Sequence, residues 1–194
     1  MAETAGNRYE EPTSEVAAAS AVADQPDPTT LDKLTTHFGK KVLGTSTRLG
    51  EATAIVDAKA LVEVMTWLRD EGKFVLLSDL TAHDCHGQEP RFWVIYQLTN
   101  IETPERLRIK VGLPEKKPSV ESMVPLWPGA NFLEREVYDL MGIEFKNHPN
   151  LTRIMMPTEW EGHPLRKDYP VVYEPVQFTH NAAEIRARKP LAEK

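Results

Sequence analysis

The sequence has a single cysteine, Cys85, in 194 residues. That excludes an internal disulfide, and it excludes a self-contained iron–sulfur cluster, which takes several cysteine ligands. Long apolar runs are missing too. Stretches such as Phe74–Leu77 fall far below the roughly 18 residues a membrane-spanning helix needs. Any membrane association is therefore expected to be peripheral. Basic patches are scarce, and the net charge is -6, so nucleic acid is not an expected partner. There is no G-x-G-x-x-G and no Walker-type loop, so binding of NAD, flavin or ATP by this chain has no support. A G-x-S-x-G elbow and an H-E-x-x-H helix are absent as well. Nor does the start of the chain carry a basic region followed by a long apolar one. Its apolar patch, Val16 to Ala23, is short and mostly alanine, which implies a cytosolic, bacterial-type protein.

What is present is unevenly placed. Residues 1–30 hold Glu3, Glu10, Glu11, Glu15, Asp24 and Asp27 against Arg8 alone, a net of -5, which leaves the remainder at -1. This stretch is rich in Ala, Glu, Thr and Pro and lacks bulky apolar residues, the composition of a disordered tail. From residue 31 the pattern changes. Thr29 or Thr30 can cap a helix with Leu31, Leu34 and Phe38 on one face. Short strands follow at Val42–Thr47 and Ala52–Val56, with a turn at Leu49-Gly50. Asp57 can cap a second helix whose apolar positions are Leu61, Val64, Met65 and Leu68, stopped near Gly72. Lys73–Leu80 is almost continuously apolar, which predicts a central strand.

Arg91–Leu98 and Arg106–Leu113 predict an antiparallel hairpin. Leu107, Ile109 and Val111 alternate inward there, and Arg106, Arg108 and Lys110 outward. Ser119 can cap a brief helical turn. A helix is then expected from Gly129 to Met141, with Leu133, Val137, Leu140 and Met141 on one side and Gly142 at its end. Beyond Ile143 neither periodicity persists, and Pro149, Pro157, Pro164, Pro170 and Pro175 punctuate the chain. The expected architecture is α/β (α+β): a two-layer mixed sheet with helices on one face over residues 31–143. An extended C-terminal arm, 144–194, follows it.

Three clusters invite a chemical reading. Glu134, Arg135, Glu136 and Asp139 lie on one helix. Consecutive positions diverge around a helix, so the triplet cannot converge on one substrate atom, and a solvated face with local ion pairs is the plain reading. His83-Asp84-Cys85-His86 offers zinc-ligand types. Adjacent side chains of an extended segment point to opposite faces, however, so a loop between strands is favoured over a metal or cysteine–histidine hydrolase site. Finally, His163, Arg166, Lys167 and Asp168 accompany Trp160, Leu165 and Tyr169. Bulky groups rimmed by charge, on a segment without an element of its own, point to a protein interface.

Two stretches also carry a resemblance. Glu134-Arg135-Glu136, Asp139-Leu140-Met141, His148 and Arg153-Ile154-Met155 form the first, and Glu161-Gly162-His163-Pro164-Leu165-Arg166-Lys167-Asp168-Tyr169-Pro170 the second. Together they resemble the family of the C subunit of NADH–quinone oxidoreductase, the 30-kilodalton subunit of respiratory complex I. Weaker likeness extends through Leu77–Ala82 and Arg91–Tyr96, so that it covers about residues 31–175. Thr152 departs from the pattern, which usually has a basic residue there.

The resemblance implies a non-catalytic structural subunit of the peripheral arm of a proton-translocating complex, on the cytoplasmic side of the bacterial inner membrane. It would assemble with other peripheral-arm subunits and bind the D subunit, with its C-terminal arm wrapped around that partner, and so hold the quinone-reducing module. No cofactor is expected in this chain; FMN, iron–sulfur clusters and quinone would belong to partner subunits. Under this reading Glu134, Arg135, Glu136, Asp139, His148, Arg153, Trp160, His163, Arg166, Lys167, Asp168 and Tyr169 are interface residues. The same domain type in membrane-bound hydrogenase and formate hydrogenlyase-type complexes is the sister alternative.

Overall fold

The computed structural model describes residues 29–170. Of the expected acidic tail, residues 1–30, positions 1–28 lie outside the described residues, as does the end of the expected arm, 171–194, while Thr29 and Thr30 belong to the start of the first helix. Helix α1 (Thr30–Phe38) opens with a reciprocal cap between Thr29 and Asp32. β1 (Val42–Arg48) and β2 (Glu51–Val56) form a hairpin, and α2 (Leu61–Asp70) follows. β3 (Leu76–Asp84), β4 (Phe92–Thr99) and β5 (Arg106–Leu113) make an antiparallel meander. β5 then runs parallel to β2. The result is a five-stranded mixed sheet ordered β1-β2-β5-β4-β3. Leu34, Leu61, Val64, Met65 and Leu68 bury against Val94, Tyr96, Leu107, Ile109 and Val111 in one core. The predicted α/β class and the β4–β5 hairpin are found.

Three local expectations are corrected. The strand predicted as central, β3, is an edge strand that pairs only with β4. Its apolar run is not buried on two faces: Phe74 enters the core ahead of the strand, while Val75 and Leu76 are exposed. From Leu80 onward the ordinary alternation of a one-sided strand takes over. Asp57 does not cap α2. Its carboxylate accepts the Lys59 N–H and its carbonyl the Ala60 N–H, forming a turn from which the helix starts at Leu61. Ser119 opens no helical turn. It begins β6 (Ser119–Glu121), which pairs parallel with β7 (Glu144–Lys146) and buries Val120 and Phe145.

Between β6 and β7 lies α3 (Ala130–Met141). Its buried residues are Ala130, Glu134, Val137, Asp139 and Met141, whereas Leu133 and Leu140 are only half-buried. Val137 and Met141 thus bury as predicted and Leu133 packs partly against the core, while Glu134 and Asp139 are buried besides. The helix stands against β3, at the free edge of the sheet.

Candidate docking surface

Residues 147–170 contain no helix or strand and fold back over the C-terminal half of α3. A buried carboxylate, Asp139, explains why, and a second, Glu134, is buried on the same helix. The Asp139 carboxylate accepts the successive backbone N–H groups of Ile154, Met155 and Met156, at 3.1, 2.7 and 2.8 Å. Arg153 adds Nη1 at 3.2 Å and anchors its Nη2 on the Gly162 carbonyl. Burial works to raise the Asp139 pKa, but those N–H donors and the Arg153 charge outweigh it and hold it below the usual carboxylate range. Glu134 has a weaker set. It accepts the Ser122 hydroxyl and the Met123 N–H, both at 2.6 Å. Burial dominates there and pushes its pKa up to about 7. His148, its side chain buried, lies 3.9 Å from the same carboxylate; its Nδ1 accepts the Asn150 N–H, so Nε2 carries the proton and faces the Asn131 carbonyl at 3.3 Å. The solvated-face reading is therefore corrected for Glu134 and Asp139: donors from elsewhere in the chain enclose both.

The second motif closes the end of α3. A helix leaves its last carbonyls without intrahelical partners. Here His163 Nδ1 donates to the Asp139 carbonyl at 2.8 Å, and the Leu165 N–H to that of Leu140 at 3.0 Å. Arg166 takes the Met141 and Gly142 carbonyls. Gly142 has φ +69, and a Cβ there would collide with His163 and Arg166. Desolvation lowers the His163 pKa, favouring the neutral ring. Tyr169 packs its ring over Gly162.

Beyond the plug, the Lys167 N–H reaches Asp84 at 2.9 Å, and Asp168 pairs with Arg91 at 2.9 Å. Arg91 is buried and also pairs with Asp84 and the half-exposed Glu115, while both Arg91 and Arg166 lie over the Phe92 ring. Sequence reasoning missed Arg91 as a site residue. It saw Asp84 only within the histidine–cysteine run. A charged residue opening a strand beside Phe92 was the available signal.

That run is not a plain loop, since His83 and Asp84 complete β3. Asp84 turns inward to Arg91, while Cys85 Sγ lies 3.4 Å from His83 Nε2 on the other side. Among the described residues, no three His, Cys, Asp or Glu side chains gather as a metal would require.

The surface left by this clamp is apolar with a charged rim. Phe132, Met155 and Leu165 are 65%, 61% and 54% exposed, and Ile154 is exposed too. Arg135 is spread over Phe132 and holds the Thr152 carbonyl and hydroxyl at 3.0 and 2.9 Å. The departing residue, Thr152, thus has a local partner. Glu136 and Lys167 are exposed, and Trp160 is half-buried. Such an arrangement can grip a protein.

Fold and surface together define an α/β domain with an internally clamped terminal segment and an exposed apolar face. Residues 54–175 match the family described as the respiratory-chain NADH dehydrogenase 30 Kd subunit. The C subunit of the NADH-quinone oxidoreductase of Roseiflexus castenholzii is 45% identical over 168 residues, covering 86% of this chain and 97% of that protein. Among solved structures, the trypsin-resistant fragment (1-134) of Nqo5 aligns with TM-score 0.55 at 29% identity, over 62% of this chain and 96% of the fragment. The membrane-bound sulfane sulfur reductase, an archaeal respiratory membrane complex, aligns with TM-score 0.63 over 84% of this chain and 94% of the matched chain. At 19% identity that second match speaks for the architecture alone. The chain belongs to the 30 kDa subunit family of the respiratory-chain NADH dehydrogenase, complex I. Among the described residues, no helix is long and apolar enough to cross a membrane.

Proposed function

We propose that this chain is a non-catalytic structural subunit of the peripheral arm of complex I. It holds the quinone-reducing module by binding the D subunit on the cytoplasmic side of the membrane. The observation that carries the reading is the clamped apolar surface of Phe132, Ile154, Met155 and Leu165, rimmed by Arg135, Glu136 and Lys167. Asp139 and Arg166 fix the backbone beneath it, which lowers the ordering cost of binding. The buried Glu134 and Asp139 thus act from behind this surface, shaping it without touching the partner, and residues 171–194 extend the grip. Electron transfer belongs to FMN, iron–sulfur clusters and quinone carried by partner subunits.

The experiment is affinity capture of the tagged chain from detergent-solubilised membranes, read by mass spectrometry and by NADH oxidation. Recovery of the D subunit with quinone-dependent NADH oxidation is the expected result. Recovery of hydrogenase subunits would assign the chain to the sister complexes. A lone chain turning over a substrate by itself would overturn the structural role.

A further inference from the structure

Helices α1 and α2 pack on the inward side chains of the five-stranded sheet, α3 stands at its β3 edge, and the other face is left to the side chains that alternate outward. β5 contributes Arg106, Arg108 and Lys110 to that outer face. Lys110 is in register with Ile55 on β2 and Ile95 on β4, and Trp93 stands one pair further along. Ile55, Ile95 and Trp93 are half-buried and, with Lys110, His83 and Cys85, line a depression of about 180 Å³. Arg108 is paired with Glu51. Arg106 and Lys110 form no ion pair among the described residues. The face is therefore a basic stripe beside an apolar strip.

Thr29, where the described chain begins, lines a neighbouring recess with Glu51 and Arg106. Residues 1–28 thus join the body at one end of this face, and they carry a net charge of -5. We propose that the acidic segment 1–28 docks across the outer sheet face of its own chain. Its carboxylates lie against Arg106 and Lys110, and its apolar stretch Val16–Ala23 covers Ile55, Trp93 and Ile95. Reach is ample, because an extended segment spans about 3.3 Å per residue and the stripe from Arg106 to Lys110 is only about 13 Å long. Tethering places the segment at an effective concentration of order 1 mM, an advantage no external acidic peptide shares. A second copy of the sheet would bring one basic stripe against another.

Cys85 is the only cysteine of the chain and lies in this depression, so it reports on the cover directly. The experiment compares the rate of Cys85 labelling by a bulky maleimide in the isolated full chain at low salt. The comparison variants are a chain with Glu10→Gln, Glu11→Gln, Glu15→Gln, Asp24→Asn and Asp27→Asn, and the single variant Arg106→Glu. Circular dichroism checks that each is folded. Each change should speed labelling about fivefold, combining them should add nothing further, and ~0.5 M salt should abolish the difference. Equal rates in the wild-type and amidated chains at low salt would overturn the proposal. Protection that grows with protein concentration would overturn it too, by making the occupant a second copy. Neither outcome bears on binding of the D subunit, which engages a different surface.

Discussion

At the scale of single residues, the two buried carboxylates of α3 should respond to pH in opposite ways. Glu134 has a folded pKa of about 7 against an ordinary 4.5, so between those values the folded state binds the proton that the unfolded chain has released. Stability must then fall as pH rises through this window, by up to about 3 kcal/mol, and stay low above it. Glu134→Gln should flatten that dependence, making the variant more stable than the wild type at pH 8 but not near pH 4. Urea unfolding at the two pH values checks it.

Asp139 has the opposite sign. Its pKa is held down, so its contribution is present above the ordinary carboxylate pKa and disappears as acid drives pH down through the folded value. Asp139→Asn should cost about 2–3 kcal/mol, since a charged acceptor of several donors is lost and Arg153 keeps its charge. Limited proteolysis at neutral pH should show new cleavage between residues 150 and 162. The acid–Arg–acid motif was plain in the sequence, but the partners of its acids were not. For Glu134 they are Ser122 and Met123, ahead of the helix, and for the neighbouring Asp139 they are the Arg153 side chain and the Ile154–Met156 backbone, which only the fold-back brings near.

At the scale of elements, α3 and its plug form one unit. Gly142→Ala should destabilise the protein by about 2 kcal/mol or more, because the residue needs φ +69 and its Cβ would displace His163 and Arg166. Thermal unfolding measures the loss. Placing the bulky cluster of 160–169 on a segment without regular structure was possible from composition. Its attachment to the helix end was not, since carbonyl capping by a distant segment leaves no periodic trace. The hairpin of β4 and β5 was legible because β5 alternates cleanly, with Leu107, Ile109 and Val111 inward and Arg106, Arg108 and Lys110 outward. The position of β3 was misread for a related reason: an apolar run records burial, and Phe74 buries ahead of the strand while Val75 and Leu76 stay exposed.

At the scale of the whole molecule, the clamp makes a body from two parts, the sheet with α1 and α2, and α3 with its returning segment. The Arg91–Asp84–Asp168 cluster fastens them at the edge of the sheet. A buried pair of this kind does its greatest damage when one member is removed. Arg91→Ala should therefore cost about 3–5 kcal/mol and loosen Lys167 and Asp168 from the edge of the sheet, as hydrogen exchange would report. On the proposed reading, the exposed apolar residues mark where the next subunit begins.

The most direct measurement is complementation of a strain lacking this chain with a surface variant that folds, Met155→Glu combined with Leu165→Glu. If the chain holds the quinone-reducing module, the variant should accumulate as a folded protein yet retain the D subunit at least about tenfold less well. NADH-to-quinone activity in the membranes should fall with it. Wild-type assembly and activity in that variant would contradict the docking surface, and an intact complex that had lost activity would contradict the non-catalytic role.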